Sequence, residues 1–541
     1  MALPKPTKSQ FEWHEIEKKL MICLDPATWQ RQEYDDLSTP LAEINPSGFD
    51  AAQWAQAALS WGAGEIILVA KHVGGFCLWQ TDTSPYGLKE TPFQNGKGDI
   101  VDDLYKACKK QGLKFGIYLS PADRFYGAYT GGGGKTADPA KQEAYNNVYR
   151  RQLTELLKKY PDTFEIWFDG GIVIPVGDIL EKYAPDAMIL QGKERSTIRW
   201  AGNEAGEIPY PTWDTLKKIE LETGFSTGAN SSADGDAWAP VEADVPLYNH
   251  NWFWAEKNES KRRSLEELVR IYYKSVGRGA VLLLNATPDT AGRIPEGDMK
   301  RYGEFGKELE RRFSKPLAAA GGTGNEIVLE LGGAKEVNHV ILMEDYAEGE
   351  RVRAFTVSAL ADGQWAMIIR DGSMIGRKQI VPFETVTASA LKLEIGESVG
   401  TPHISSFEAY NVKDTDMKAL CAAMAGFGEL HNALAHAWVE TGGPAGEWAE
   451  YVLDISHCVL EAGQYRVTFR QPDDGKLETK EAVLVLEGIE TAGLVEELGK
   501  GVYRVTRSAG VDGDYGKSTA LRFRYRRDKA GDGVSVDVRK I

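Results

Sequence analysis

The sequence predicts an α/β chain: a (β/α)8-like barrel of the TIM type over residues 1–315, then two all-β sandwiches over 316–415 and 425–541. Three observations carry this. From about residue 50 to 315, short apolar strands alternate with amphipathic helices, the pattern of parallel strands covered by helices. From 326 to 411 the helical spacing vanishes and short alternating segments follow one another between Gly and Asp turns. From about 425 the same all-β texture returns.

The elements follow in order. E-I-I-L-V-A (65–70) reads as a buried strand, and D-I-V-D-D-L-Y-K-A-C-K-K-Q-G (99–112) as a helix stopped by its glycine. K-F-G-I-Y-L-S-P (114–121) is a strand, followed by a helix over about 138–160. T-F-E-I-W-F-D-G (163–170), a helix near 177–184, A-M-I-L-Q-G (187–192), a helix near 262–277 and G-A-V-L-L-L-N (279–285) continue the alternation. A charged helix over 298–313 ends it. E-I-V-L-E-L, N-H-V-I-L-M-E-D, R-A-F-T-V-S-A-L and A-L-K-L-E-I supply the strands of the first sandwich. Y-V-L-D-I, Y-R-V-T-F-R, Y-R-V-T-R and L-R-F-R-Y-R-R supply those of the second.

A chain of 541 residues with 42% hydrophobic content exceeds what one core holds, in keeping with several units. The net charge of −16 argues against a nucleic-acid partner, because phosphate binding needs clustered Lys and Arg. No apolar run approaches the ~18 residues of a membrane helix, so no membrane partner is expected. The five cysteines are scattered and show no C-x-x-C spacing, which points to neither a disulfide framework nor a metal site. Fourteen Trp, 22 Tyr and 18 Phe suit carbohydrate stacking and large cores equally. M-A-L-P-K-P-T-K lacks the apolar core of a signal peptide. The expected location is periplasmic or secreted if a leader was trimmed, and cytoplasmic otherwise. Oligomeric state is not legible.

Barrel active sites lie at the carboxyl ends of the strands, which draws attention to K-H-V-G-G, L-S-P-A-D-R, W-F-D-G-G and L-N-A-T-P. Asp169 ends a buried strand and is followed by two glycines, so it is either a catalytic carboxylate in the mouth or a helix cap. Glu204 in R-W-A-G-N-E-A-G and Glu242 in W-A-P-V-E-A-D-V are further candidates. Glycoside hydrolysis needs two carboxyl groups, ~5–5.5 Å apart for a retaining mechanism. His72, where E-I-I-L-V-A-K ends, either reads a substrate or packs. T-G-G-G-G-K (130–135) is a loop and lacks the spacing of a phosphate cradle.

These stretches, in this order through most of residues 10–410, resemble glycoside hydrolase family 29, the α-L-fucosidases, in particular the plant and bacterial branch acting on 1,3/1,4-linked fucose. A-K-H-V-G-G-F-C-L-W, G-I-Y-L-S-P-A-D-R, I-W-F-D-G-G, R-W-A-G-N-E-A-G, N-W-F-W and I-Y-Y-K-S-V-G-R-G-A-V-L-L-L-N-A-T-P carry the likeness. The resemblance implies a retaining, exo-acting glycosidase without cofactor or metal, with Asp169 as nucleophile and Glu204 as acid/base. It places His72, Trp79, Tyr118, Trp167, Arg199 and Trp252 or Trp254 in the sugar pocket, and Glu33 and Asp25 beside them. Glu242 is carried as a further substrate-binding candidate. The implied partner is an oligosaccharide or polysaccharide; the sandwich over 316–415 is discoidin-like or carbohydrate-binding-like. The block after 425 falls outside the resemblance.

The departures lie in the pocket. The family motif K-H-H-D-G has Val73 and Gly74 in place of its second histidine and its aspartate, a family histidine near the N-terminus falls at Asp25, and the Trp after S-P is Ala122. Each lost hydrogen bond is worth ~0.5–1.5 kcal/mol, so the sugar is either fucose or a related or modified one. A non-catalytic carbohydrate-binding protein is the alternative reading.

Overall fold

The computed structural model describes residues 3–425 and, beyond them, 435–440, 446–455, 463–470, 477–487, 495–499, 501–505, 518–527 and 533–540. The tail of Y-R-V-T-R and Cys458 lie outside these residues.

Eight parallel strands form the barrel: β1 (Lys18–Ile22), β2 (Glu65–Lys71), β3 (Lys114–Leu119), β4 (Glu165–Ile172), β5 (Met188–Gly192), β6 (Arg199–Trp200), β7 (Val241–Val245) and β8 (Val281–Ala286). Their order is β5-β4-β3-β2-β1-β8-β7-β6, and a single parallel bridge between Leu190 and Ile198 joins the two ends. Every residue of β2 and β8 is buried, as strands covered on both faces must be. The helices sit outside; Ile100–Gln111 is capped by the Asp99 carboxylate and ends at Gly112 with φ 74°. Three strands escape sequence reading: β6 has two residues, β7 carries acids, and β1 lies directly behind the N-terminal helix Lys8–Glu15, ahead of the stretch where the alternation is read.

Side chains fill the barrel in layers. At the amino end, Lys19, Glu65, Glu165 and Glu242 are all fully buried, with Lys19 ion-paired to Glu165 and Glu242 and 3.8 Å from Glu65. Above them lie Met21, Ile67, Trp167 and Leu283. The mouth is polar.

Two all-β units follow. A six-stranded antiparallel sheet spans Ala318–Tyr410, with two long strands (Glu326–Glu344 and Gln379–Ser398) bent at bulges over their own apolar core. It docks on the barrel through Tyr346 donating to Glu15 (2.8 Å) and a Tyr273–His339 hydrogen bond (2.7 Å). The last unit holds a five-stranded and a three-stranded sheet around Tyr465, Tyr503, Phe523 and Tyr525.

Candidate active site

The strands deliver acids to the mouth by their two-residue alternation. On β4, Glu165, Trp167 and Asp169 share the inward face: the first is in the amino-end layer, the second above it, and the third is exposed in the mouth. The strand continues past Asp169 only because Gly170 and Gly171 take φ 74° and 77°, which breaks the register and swings the carboxylate free of the ladder. A side chain at 171 would collide with the Phe225 ring. Tyr118, at the mouth end of β3, donates its hydroxyl to Asp169 Oδ2 at 2.8 Å, and Gln191 Oε1 accepts from the Gly170 amide at 2.9 Å.

Glu204 sits in the loop after β6. That loop is clasped by β7: Ala201 N donates to Glu242 O (2.7 Å), Gly206 N to Asp244 O (3.0 Å) and the Trp200 indole to Asp244 Oδ1 (2.6 Å). The Glu204 surface is open to the cleft while protein encloses the carboxyl on most sides, and the enclosure decides its charge. Desolvation, with the charges of Asp169 and Glu33 adding, lifts the carboxyl to about 7 against the pull of a hydrogen bond from the Trp252 side chain. Asp169 and Glu204 therefore sense each other across one mouth in unlike surroundings.

The residues around this pair are aromatic and acidic. Glu33 accepts from Asn251 Nδ2 (2.9 Å) and the Trp252 amide (2.7 Å), yet burial raises it to about 7. Tyr34 stacks on His72 at 5.9 Å and 11° between planes; Tyr118 and Phe253 enclose the same imidazole at 5.9 and 4.9 Å. His72 Nδ1 faces Asp25 Oδ2 at 3.6 Å, both buried and with no other hydrogen-bond partner at these atoms. Trp167 forms the floor, donating to Glu165 (2.7 Å) and Glu242 (2.9 Å). Among the described residues, no group of three or more His, Cys, Asp or Glu is placed to hold a metal ion.

The mouth thus brings together Asp169, Glu204, His72, Tyr118, Trp167, Trp252, Glu33 and Asp25. Three expected residues lie elsewhere. Arg199 is fully buried on the outward face of β6, where Nε, Nη1 and Nη2 donate to the carbonyls of Ala239, Thr227 and Trp213. It braces loops. Trp79 packs between barrel and helices, its indole 3.4 Å from Glu155. Glu242 belongs to the amino-end layer with Lys19. Asp244, two residues nearer the mouth, is the acid of β7 that faces Glu204: burial holds its carboxyl well above the usual range and the Glu204 charge adds to that. Sequence reading missed Asp244. V-E-A-D-V shows the alternation that finds it once it is read as a strand.

Gly74 has a spatial explanation. A side chain there would collide with the Asp35 carboxylate, which is buried and accepts from Tyr86 Oη (2.7 Å), Gln30 Nε2 (2.7 Å) and the Leu37 amide (2.9 Å).

Comparison with known proteins places this geometry. The family model described as Alpha-L-fucosidase matches residues 7–312. The chain is 30% identical over 459 residues to Alpha-L-fucosidase 1 of Arabidopsis thaliana, covering 75% of this chain and 88% of that protein. A Ruminococcus gnavus family 29 fucosidase in complex with fucose superposes with a TM-score of 0.67 at 26% identity, covering 77% of this chain and 97% of that one. A family 29 member from a rumen bacterium matches 100% of both chains with a TM-score of 0.69 at 26% identity.

Proposed function

The chain belongs to the α-L-fucosidase family, glycoside hydrolase family 29, and from that premise we propose that it is a retaining, exo-acting α-glycosidase releasing a terminal α-L-fucose. The observation that carries this is the pairing in the mouth: an open Asp169 steadied by one tyrosine hydroxyl, facing a desolvated Glu204 lifted to about 7. Pairs of carboxyl groups pushed apart by their surroundings divide into nucleophile and acid.

In the first step the Asp169 carboxylate attacks the anomeric carbon. The glycosidic C–O bond breaks, and the Glu204 proton goes to the departing oxygen. In the second, Glu204 takes a proton from water, the water oxygen bonds to the anomeric carbon, and the ester to Asp169 breaks. Tyr118 orients the nucleophile. His72, Glu33 and Tyr34 face the sugar hydroxyls, and Trp252 its apolar face. Val73 and Asp25, standing where the resemblance sets histidines, support a second reading in which the released sugar is a relative of fucose.

Asp169→Asn should lower kcat/KM on 4-nitrophenyl α-L-fucoside at least ~10³-fold. Glu204→Gln should lower it ~10²–10⁴-fold on a sugar leaving group and far less on nitrophenolate, which departs without a proton. Full activity of the Asp169 variant refutes the mechanism.

A further inference from the structure

Residues beyond 425 lie outside the span of the family model, 7–312, and the chemistry above makes no use of them. Their meeting point with the barrel is close to its nucleophile. The excursion after β3 carries the glycine run Gly131–Gly134. Its inner side lies against the turn that follows Asp169: Val173 N donates to Gly133 O at 2.9 Å. A β-carbon on Gly133 would stand 3.2 Å from Gly171 O, and one on Gly170 would stand 4.0 Å from Gly131 Cα. Its outer side meets strand Trp448–Asp454 of the last unit, where the Tyr451 hydroxyl lies 3.4 Å from Thr130 O and donates to it. A β-carbon on Gly131 would stand 3.5 Å from that hydroxyl. Contact therefore runs from Asp169–Gly170 through Gly131–Thr130 to Tyr451.

Glycine runs lose the most backbone freedom on ordering, so this loop holds one shape only if braced from both sides. The same excursion places Phe125 and Tyr129 on the surface, 41% and 43% exposed, with the Tyr129 ring lying over Gly132. Main-chain amides, tyrosine hydroxyls and flat rings together suit neutral, hydroxyl-rich rings that have one apolar face.

We infer that the C-terminal unit is part of the substrate cleft: Tyr451 and the 129–135 loop form the rim beside the nucleophile, and this rim holds the sugar rings attached to the one released. The inference rests on the exo-glycosidase reading above and narrows the substrate to a fucosylated oligosaccharide with at least one further ring on that rim. A terminal sugar fills the depth of the barrel, so the remainder of its chain has to cross the rim.

The test compares the full-length protein with Tyr129→Ala, Tyr451→Ala and Tyr451→Phe on a fucosylated tetrasaccharide and on 4-nitrophenyl α-L-fucoside. The expected result is a fall of about fivefold or more in the tetrasaccharide-to-aryl ratio of kcat/KM for both alanine variants, mainly through KM, with Tyr451→Phe intermediate. A ratio within about twofold of wild type in all three variants overturns the inference. Amide hydrogen exchange over 129–135 reads the brace without any turnover: faster exchange in folded Tyr451→Ala supports it, unchanged exchange overturns it. If the wild type frees fucose from neither substrate, the fucosidase reading falls, while the exchange measurement still decides on the brace.

Discussion

At the scale of single residues, Glu204 sets the pH behaviour. Its carboxyl is lifted from an ordinary 4.5 to about 7, chiefly by desolvation. A general acid works while protonated, so kcat/KM on oligosaccharide should hold up to about pH 7 and fall above it. Glu204→Gln should abolish that limb along with most of the rate. The same shift has a stability consequence. The folded state binds this proton more tightly than the unfolded chain, so the contribution favours folding at low pH and is lost as pH rises through about 7. Glu204→Gln should therefore melt higher than wild type near ~pH 8 and no higher near ~pH 4, measured by calorimetry. Gly74 yields a second prediction. Refilling the motif with Gly74→Asp drives a side chain into the Asp35 carboxylate, costing about 1–3 kcal/mol from overpacking, with like-charge repulsion added. The paired change with Asp35→Gly should recover most of that loss in a urea melt. Asp169 and Glu204 were legible as residues because each ends an unusual local pattern. Asp35 was not, since the space it shares with Gly74 joins segments 39 positions apart.

At the scale of elements, strand alternation decided what the sequence could reveal. β2, β3, β4, β5 and β8 announce themselves as apolar runs, and Asp169, toward the carboxyl end of β4, falls in the mouth as barrel geometry requires. β7 does not, because V-E-A-D-V buries two acids. Taking its glutamate as pocket-facing puts Glu242 two residues too high; the strand delivers Asp244 instead. β6 fails the other way: in a two-residue strand the tryptophan faces in and Arg199 faces out. The amino-end layer is likewise invisible locally, since Lys19, Glu65, Glu165 and Glu242 come from four strands. Burial and the Glu165 charge raise the Glu242 carboxyl, and Lys19 opposes both. Lys19→Met leaves three buried acids without their cation, and should lower folding stability by about 3–5 kcal/mol in a guanidinium titration. Since Trp167 donates to two of those acids, a smaller loss of kcat is expected to accompany it.

At the scale of the molecule, the change of texture from alternating strand and helix to strand alone falls between Phe313 and Ala318. What composition could not convey is how the units touch. The first all-β unit is hydrogen-bonded to the barrel at Glu15 and Tyr273, and the last one meets the glycine loop beside the nucleophile. Contacts between distant segments leave no periodicity to read. The family follows from the match over residues 7–312; the sugar and the stereochemical course are proposed from the site. One measurement reaches both: proton NMR of the first product formed from 4-nitrophenyl α-L-fucoside, recorded before the anomers equilibrate. Retention at Asp169 predicts free L-fucose appearing first as the α anomer. The β anomer first, or no fucose released, would contradict it.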